Sequence, residues 1–348
     1  MRQSHRADKW RLPSEEQSAG LEGGEKPAAK GTEERMNISV ILCTYNRCQS
    51  LAKALDSLAA SILPEDTEWE ILVVDNKSKD QTWEVVEGFC QRYPGRFRYL
   101  FELRQGKSFA LNSALREARG DILVFVDDDV KVEPTWLHEL TASLHNGEWA
   151  GSGGRILPEP GFSPPRWLAL DGPRNLGMVL CAQFDLGNVP GELKDAPFGT
   201  NMAFRREMFD KYGGFRGDLG PRPSETRNED TEFGRRLMAG GERLRYVPSA
   251  VVYHEVHESR VRKQFFLTWW FDHGRGDIRE TGKTLRAREI VKLLGSTLRT
   301  ALGSVLSFDQ ERRFYRRCMV WHAAGKLVEA RRQSKESGYK TKRQPESV

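Results

Sequence analysis

The stretch Val124–Val130 reads VFVDDDV, so a short apolar run ends in three consecutive carboxylates, Asp127, Asp128 and Asp129. Core packing gives no reason to crowd like charges at the end of a strand, whereas a divalent cation does. Carboxylate oxygens are the ligands that Mg²⁺ and Mn²⁺ prefer. A solvated acidic loop is the competing interpretation of the triplet alone, and the surrounding sequence has to decide between the two.

Upstream of the triplet, short apolar runs alternate with helical periodicity. The predicted strands are Ile38–Leu42, Glu70–Asp75, Phe97–Phe101 and Ile122–Val126. Apolar residues at helical spacing lie between them, at about 50–61, 80–93 and 108–119. Continuous apolar strands that alternate with helices predict an α/β fold, in which a mostly parallel sheet is flanked by helices.

Three polar clusters come directly after predicted strands, at Thr44–Arg47, Asp75–Lys77 and Asp127–Asp129. In open α/β sheets, ligands bind outside the carboxyl ends of the strands. We therefore expect these three loops to converge on one crevice, and this convergence favours a binding site at the triplet over a surface loop.

The segment downstream is less regular. Gly and Pro are dense at 151–199, which is typical of binding loops on a scaffold. Further on, a strand is predicted at 198–205, a helix at 231–239 with Asn228 as its N-cap, and a last strand at Val247–His254.

The charge of the chain is unevenly distributed. Its 348 residues are enough for one large or two modest domains, and its formal net charge is +5. Residues 1–258 carry 33 Lys and Arg against 40 Asp and Glu, whereas residues 259–348 carry 21 against 9. A basic C-terminal part indicates an anionic partner surface, such as lipid headgroups or a nucleic acid.

Cysteine usage and hydropathy indicate the compartment. The five cysteines are scattered and form no CxxC pair, which argues against zinc and a disulfide framework and favours the reduced cytosol. No apolar stretch precedes Ile38, so we predict no secretory signal. No run of about 18 apolar residues occurs, so we predict no membrane-spanning helix and a soluble or peripheral protein.

We predict four segments. Residues 1–35 form a polar, disordered leader, and 36–258 form the α/β domain. Residues 259–333 form a basic, amphipathic helical extension, and 334–348 form a disordered tail.

Six ordered motifs together resemble the family-2 glycosyltransferases. They are Ser39–Arg47 (SVILCTYNR), Val73–Asp80 (VVDNKSKD), Gly106–Asn112 (GKSFALN), Gly120–Asp129 (GDILVFVDDD), Gly199–Arg206 (GTNMAFRR) and Asn228–Phe233 (NEDTEF). The resemblance covers about residues 37–258, and the ordered set is specific although each motif alone is weak. It implies the Rossmann-like GT-A fold and a nucleotide-diphosphate sugar donor, with UDP as the expected nucleotide.

On this resemblance, Asp75 accepts a hydrogen bond from the base, while Thr44 and Tyr45 lie against the base and ribose. Arg47 and Lys107 are expected near the phosphates. Taken alone, these residues have ordinary structural explanations, such as a turn-capping aspartate, a core tyrosine or a solvated lysine. Family members often carry an arginine shortly before the position of Asn112; it is missing here, and Lys107 is the candidate replacement.

The resemblance also implies a metal site of the DxD type, holding Mn²⁺ or Mg²⁺. Asp129 is the expected chief ligand, with Asp127 as its partner and Asp128 shared between metal and ribose. His254 matches a late histidine of the family that completes the metal or diphosphate contacts, and His257 is its nearby competitor.

The remaining expected site residues are Asp230 and Asn201. Asp230 corresponds to the general base that deprotonates the acceptor hydroxyl in an inverting, single-displacement reaction. Asn201 is expected near the sugar. The structural alternatives are that Glu229 and Asp230 merely favour a positive helix N-terminus, and that Asn201 serves a turn.

The C-terminal extension is basic, amphipathic and rich in aromatic residues. Phe265–Phe271 is aromatic, and Ile290, Leu294 and Leu298 share one helical face. These features suit an anionic membrane interface. The alternative is that the helices dock onto the catalytic domain and use their basic faces for solubility.

The sequence therefore predicts a metal-dependent, inverting hexosyltransferase of polysaccharide biosynthesis. Its expected acceptor is lipid-linked or a glycan, its expected location is cytoplasmic and peripheral at the inner face of the cell membrane, and no nucleic-acid partner is expected. One alternative is a nucleotidyltransferase, although Thr44–Arg47 lacks the glycine expected of its phosphate loop. The other is a non-catalytic nucleic-acid binder, which would leave the acidic clusters without a purpose.

Overall fold

The computed structural model describes residues 37–219, 229–281 and 285–341, with the backbone alone for residues 280, 281 and 335–341. The predicted leader 1–35 and the predicted cap Asn228 lie outside the described residues. Within the described part, the chain forms nine strands and ten α-helices. The strands are β1 (Ile38–Thr44), β2 (Trp69–Asp75), β3 (Phe97–Phe101), β4 (Ile122–Asp127), β5 (Val130–Val132), β6 (Gly151–Pro158), β7 (Gly191–Glu192), β8 (Asn201–Arg205) and β9 (Leu244–His254). The helices are α1 (Cys48–Ala59), α2 (Thr82–Arg92), α3 (Lys107–Glu117), α4 (Trp136–Ala142), α5 (Gly177–Cys181), α6 (Arg206–Tyr212), α7 (Glu229–Ala239), α8 (Lys263–Thr281), α9 (Ala287–Val305) and α10 (Gln310–Thr341).

The described strands form one sheet in the order β3-β2-β1-β4-β8-β6-β9-β5, with β7 beside β9. The first four are mutually parallel, and β1 is the central strand between β2 and β4. The prediction of an α/β sheet is confirmed in this half, where nearly every strand residue is buried. Strands covered on both faces need continuous apolar runs, and for this reason the sequence identifies them clearly.

The second half of the sheet is mixed. Strand β8 runs antiparallel to β4 and β6, β9 runs parallel to β6, and β5 pairs antiparallel with β9. As a result, His254 at the end of β9 is the register partner of Val130, directly after the Asp triplet. The pairing brings the last residue of β9 to the crevice side of the sheet.

Helices cover both faces of the sheet, as predicted. On one face, α1, α2 and α4 bury residues such as Leu55, Phe89 and Trp136 against the strands. On the other, α3, α6 and α7 surround a cluster of phenylalanines whose members are Phe125, Phe204, Phe209, Phe215 and Phe233. These two layers hold the strand ends in fixed positions, because the apolar residues on both sides are close-packed.

The C-terminal region is helical, as predicted, and two of its helices pack against the body. Phe266 of α8 and Phe314 of α10 pack edge-on against Trp167, within a buried cluster that also contains Leu176 and Val179 of the body. In this respect the structure supports the docking alternative for α8 and α10. Among the described residues, no helix is long and apolar enough to cross a membrane.

The long helix α10 packs closely against α8. Gly325 faces the carbonyl oxygen of Phe271, and Gly274 faces that of His322, so that a Cβ atom at either glycine would collide with backbone. The helix ends at Thr341. It thus runs past residue 334, where the predicted tail begins; the Lys-, Arg- and Glu-rich residues that predicted disorder also have high helix propensity. Residues 342–348 lie outside the described residues.

Candidate active site

The three polar clusters after the strands converge as expected. Thr44 at the end of β1 is the register partner of Asp75 at the end of β2, and Cys43 is the partner of Asp127 at the end of β4. The carboxyl ends of three adjacent parallel strands therefore open into one crevice. The parallel direction of the strands is what places residues from distant parts of the sequence side by side.

The loops after β1 and β2 are joined by hydrogen bonds. Asn46 and Lys77 both adopt left-handed backbone conformations, with φ of 53° and 69°. The backbone N–H of Asn46 donates to Ser78 Oγ at 2.9 Å, and the N–H of Lys79 donates to Asn46 Oδ1 at 2.7 Å. Asparagine adopts this conformation more readily than most residues. The two loops thus form one wall of the crevice, next to the exposed ring of Tyr45.

Asp127 is held between two donors. Lys107 Nζ lies 2.6 Å from its Oδ1, and Thr200 Oγ1 donates to its Oδ2 at 2.6 Å. Burial acts to raise the pKa of Asp127, but the Lys107 ammonium and the hydrogen bonds act more strongly, so the pKa lies well below its ordinary value. Asp127 is therefore ionised at neutral pH and available as a metal ligand.

Asp128 is buried and hydrogen-bonded through both of its carboxylate oxygens. Thr44 Oγ1 donates to its Oδ2 at 2.7 Å, and Arg47 donates to its Oδ1 at 3.0 Å. Burial, assisted by the neighbouring Asp129 charge and opposed by Arg47, raises the pKa of Asp128 to about 6. Both of its oxygens are thus used within the protein.

Two arginines and a histidine surround Asp129. Arg47 and Arg260 each donate to its Oδ2 at 2.9 Å, and His254 Nε2 lies 3.3 Å from its Oδ1. Burial lowers the pKa of His254, and its Nδ1 lies 3.0 Å from the carbonyl oxygen of Glu255. A neutral imidazole with its Nδ1–H on a carbonyl leaves Nε2 as a lone pair directed at the Asp129 side of the crevice.

These residues fit a divalent cation. The ligand atoms of Asp127, Asp129 and His254 lie within 4.8 Å of one another, and two of the three side chains are buried. Two carboxylates and an imidazole suit Mn²⁺, and the carboxylates also suit Mg²⁺. The competitor His257 is half-exposed and lies 3.6 Å from Glu255, outside this group, so the geometry favours His254.

Asp75 lies at the end of β2, beside Thr44. The backbone N–H of Ser78 donates to its Oδ1 at 2.8 Å, and Tyr99 Oη donates to its Oδ2 at 2.8 Å. The turn-capping role that the sequence raised as an alternative is therefore present. Each carboxylate oxygen has two lone pairs, so each can still accept one more hydrogen bond.

Asp230 lies in the first turn of α7, where the helix dipole favours a carboxylate. The backbone N–H of Gly199 donates to its Oδ2 at 2.6 Å, and the N–H of Thr231 donates to its Oδ1 at 2.8 Å. Burial acts to lower the pKa of Lys107, but the negative charges of Asp127, Glu229 and Asp230 act more strongly and raise it above its ordinary value. Lys107 therefore interacts electrostatically with both Asp127 and Asp230. Asp230 is thus on the same crevice as the candidate metal ligands.

Asn201 requires a correction. Its side chain is fully buried; it accepts a hydrogen bond from Trp136 Nε1 at 2.8 Å and donates to the carbonyls of Arg155 and Ala250 at 3.0 and 2.9 Å. It therefore joins β6, β8 and β9 and does not face a sugar. Side chains alternate between the two sides of a strand, so the preceding Thr200 is the residue that reaches Asp127.

Two residues of the site were not predicted. Strand alternation within its motif narrows the choice to Thr200 or its neighbour Asn201, but it does not say which of the two faces the crevice. Arg260 lies just after the body of the sheet, 131 residues from Asp129, and its sequence shows only one more basic residue in a basic segment. No local pattern distinguishes it, because its position depends on how the segment after β9 folds back.

Comparison with known proteins identifies the family. The model of glycosyl transferase family 2 matches residues 39–213, which is half of the chain. This chain belongs to glycosyl transferase family 2. The membership confirms the resemblance read from the six motifs, and it decides for sugar transfer against the nucleotidyltransferase and the nucleic-acid binder.

Relatives of this glycosyltransferase come from different organisms. The succinoglycan biosynthesis protein ExoM of Rhizobium meliloti is 29% identical over 65% of this chain and 69% of its own length. The probable glycosyltransferase YdaM of Bacillus subtilis is 25% identical over 67% of this chain, which spans about half, 52%, of that relative. A glucosyl-dolichyl phosphate glucuronosyltransferase of Haloferax volcanii is 25% identical over 68% of this chain and 75% of its own.

Solved structures confirm the GT-A fold. A mannosyltransferase from Pyrobaculum calidifontis, in complex with GDP-Man and Mn²⁺, superposes with a TM-score of 0.59 at 19% identity, over 84% of this chain and 87% of that one. GalNAc-T7, with UDP, GalNAc and Mn²⁺, superposes with a TM-score of 0.53 at 16% identity, over 82% of this chain and 55% of that one. At these identities the likeness establishes the fold alone.

Proposed function

We propose that this enzyme transfers a sugar from a nucleotide-diphosphate donor to a hydroxyl acceptor with inversion, and that it requires Mn²⁺ or Mg²⁺. The observation that carries the proposal is the convergence of Asp127, Asp129 and His254, whose ligand atoms lie within 4.8 Å of one another at the ends of β4 and β9. A divalent cation bound there neutralises the charge of the departing diphosphate. The solved relatives that hold Mn²⁺ with a nucleotide or nucleotide sugar support this reading.

The arginines beside the metal ligands have a second task. Arg47 and Arg260 each donate to Asp129 Oδ2 at 2.9 Å, and both guanidinium groups retain further N–H donors. Diphosphate oxygens offer the same type of acceptor, and arginine binds them through paired hydrogen bonds. We therefore assign both arginines to the diphosphate, while Lys107 keeps Asp127 ionised and adds positive charge beside it.

The nucleotide fits the wall formed by the loops after β1 and β2. Tyr45 is exposed there and offers a ring on which a base stacks. The free lone pairs of Asp75 accept a donor from the base, and Tyr99 and the N–H of Ser78 hold that carboxylate in place. Thr44 holds Asp128 next to the ribose position. We propose UDP as the nucleotide.

Asp230 is the proposed general base. A single-displacement reaction at the anomeric carbon needs one base, which takes the proton of the attacking hydroxyl, and no covalent enzyme intermediate. The two backbone N–H donors on Asp230 fix its orientation and leave one lone pair on each oxygen for that proton.

The acceptor is proposed to be lipid-linked or a growing glycan, at the inner face of the cell membrane. Two relatives support this class: ExoM is a succinoglycan biosynthesis protein, and the Haloferax volcanii relative is a glucosyl-dolichyl phosphate glucuronosyltransferase. The exposed, basic helix α9 is the feature of this chain that agrees with a membrane location.

A donor screen tests the proposal. Hydrolysis of UDP-, GDP- and dTDP-sugars is measured with Mn²⁺, with Mg²⁺ and with a chelator. We expect turnover of one donor class that depends on metal, and Asp129→Ala is expected to lower kcat/KM by at least roughly 10³-fold, because several kcal/mol of charge stabilisation are lost. Asp66→Ala, at an exposed loop residue, is the matched control. Equal turnover by wild type and Asp129→Ala, or metal-independent turnover, would refute the proposal.

A further inference from the structure

Among the described residues, helix α9 is hydrogen-bonded to α10 near its C-terminal end. Its Ser304 is buried and donates to the carbonyl oxygen of Arg313 in α10 at 3.0 Å. Arg316 of α10 donates to the carbonyl oxygen of Gly303. The other side of the helix faces away from α10.

That outer side carries a row of large apolar side chains, which we name the apolar stripe. Its members are Val291, Leu294, Leu298, Leu302 and Val305, each between 50% and 77% exposed. Their spacing of three, four, four and three residues places them on one face of the helix. Leu306 and Phe308 extend the surface past the end of α9, and the ring of Phe308 is 98% exposed. Contiguous apolar surface of this kind marks an interaction site.

A line of cations borders the apolar stripe. Arg288, Lys292 and Arg299 follow one another at helical spacings of four and seven residues, and all three are exposed. We name them the basic row. The acidic residue of α9, Glu289, accepts the backbone N–H of Arg286 at 2.8 Å and so contributes to the start of the helix. The apolar stripe is therefore flanked by positive charge.

We propose that the apolar stripe and the basic row form the surface by which this enzyme binds an anionic lipid bilayer, with α9 lying in the plane of the interface. The proposed function names a membrane location but no surface for it, and the choice of a bilayer as the partner rests on that function. Leucine and valine enter the boundary between headgroups and acyl chains, while lysine and arginine contact anionic headgroups.

Charge complementarity selects a bilayer over a second copy of the chain. In a two-fold dimer, the same face of both copies meets itself, so two basic rows would flank one interface and repel each other. An anionic membrane instead pairs every cation of the row.

The test is flotation of the full-length protein with vesicles of phosphatidylcholine, with and without phosphatidylglycerol. We expect binding to the anionic vesicles that weakens with salt. The variant Leu294→Gln/Leu298→Gln/Leu302→Gln is expected to bind at least roughly tenfold more weakly, since three apolar side chains no longer enter the bilayer. The variant Arg288→Gln/Lys292→Gln/Arg299→Gln is expected to lose roughly 100-fold, because each cation near an anionic surface contributes about fivefold.

Matched controls distinguish binding through this surface from non-specific adsorption to vesicles. Ile62→Gln/Leu103→Gln removes exposed apolar residues of the body, and Arg119→Gln/Lys131→Gln/Lys194→Gln removes the same number of charges from exposed positions elsewhere. Both are expected to float like wild type. Three outcomes would overturn the inference. They are undiminished vesicle binding by the triple leucine variant, an equal loss of binding in the control variants, and no binding by wild type. A dimer, seen by analytical ultracentrifugation, that the triple leucine variant dissociates would overturn it as well.

Donor turnover in the same preparations keeps this inference distinct from the proposed function. The triple variants of α9 are expected to hydrolyse the donor in solution at the wild-type rate, which also shows that they are folded. Vesicle binding without metal-dependent donor turnover would refute the proposed function alone. Turnover without vesicle binding would refute the bilayer surface alone.

Discussion

The crevice and α9 break the usual distribution of side chains in opposite ways. The crevice buries three titratable side chains, those of Asp128, Asp129 and His254. Arg47 forms ion pairs with both aspartates, and His254 lies beside Asp129. On α9, leucines and valines are exposed beside cations. Buried polar groups and exposed apolar patches are the informative departures from an ordinary globular protein. The proposed catalytic site and the proposed membrane-binding surface therefore lie in different parts of the chain.

The largest effect should come from Asp230. If this residue is the base of the crevice, Asp230→Asn is expected to lower kcat by roughly 10²- to 10⁴-fold, because general base catalysis contributes about that much. KM for the donor should change little, since the amide oxygen still accepts a backbone N–H and the donor is bound elsewhere. Steady-state kinetics with Asp210→Asn, at an exposed position of α6, as the control measures this. A fall in donor affinity with unchanged kcat would contradict the assignment.

The helices of the C-terminal part can be compared with one another. Phe266 in α8 is fully buried, whereas Phe308 after α9 is exposed. We expect Phe266→Ala to lower the free energy of unfolding by about 3–5 kcal/mol, as the loss of a buried aromatic ring does. Phe308→Ala is expected to stay within about 0.5 kcal/mol of wild type, because it touches no core. Urea denaturation of both variants measures these changes in the free energy of unfolding. Similar losses in the two variants would mean that the end of α9 is packed in solution as firmly as α8.

Substitution of Arg260, which donates to Asp129 in the crevice, is expected to have effects of opposite sign in two measurements. Arg260→Gln is expected to raise KM for the donor by roughly 10- to 100-fold, because a hydrogen bond between charged groups is lost. The same change should tighten Mn²⁺ binding in the absence of donor, because a cation beside Asp129 and His254 is removed. Kinetics and a Mn²⁺ titration test this, with the exposed Arg262→Gln as control. Weaker Mn²⁺ binding would contradict it.

The smallest effect concerns a buried charge outside the crevice. Glu70 accepts hydrogen bonds from Arg98 and Ser39 at 2.7 Å, and from the backbone N–H of Arg119 at 2.8 Å. Burial raises the pKa of Glu70, and these donors lower it by more, so that it lies below its ordinary value of 4.5. A depressed pKa stabilises the fold above that value, and the contribution is lost as the pH falls below it.

We therefore expect Glu70→Gln to lower the free energy of unfolding by about 1 kcal/mol at neutral pH, and the difference from wild type to shrink in acid. Donor turnover at neutral pH should be unchanged. Glu117→Gln is the matched control, since Glu117 lies 3.8 Å from the same arginine but is about half-exposed, and such surface pairs contribute little. A difference that grows on acidification would show that the pair does not stabilise the fold.

Local sequence patterns were sufficient to predict most of the scaffold. The strands β1, β2, β3 and β4 are visible as apolar runs, and parallel pairing then obliges Thr44, Asp75 and Asp127 to share one edge. The same reasoning did not separate Asn201 from Thr200, because which of two neighbours faces the crevice depends on the register of β8 with β4. It also missed Arg260, whose role exists only through a contact across 131 residues.

The sequence by itself thus determined the α/β scaffold, the family and the three loops that meet at the crevice, since strand periodicity and parallel connection are local properties of the chain. The tertiary structure alone decided which histidine joins Asp127 and Asp129, that Arg260 reaches them, and that Asn201 joins strands. It also decided that α8 and α10 pack on the body while the apolar face of α9 stays outside. Helical periodicity marks an apolar face but does not say what covers it, because burial is settled only when distant elements pack.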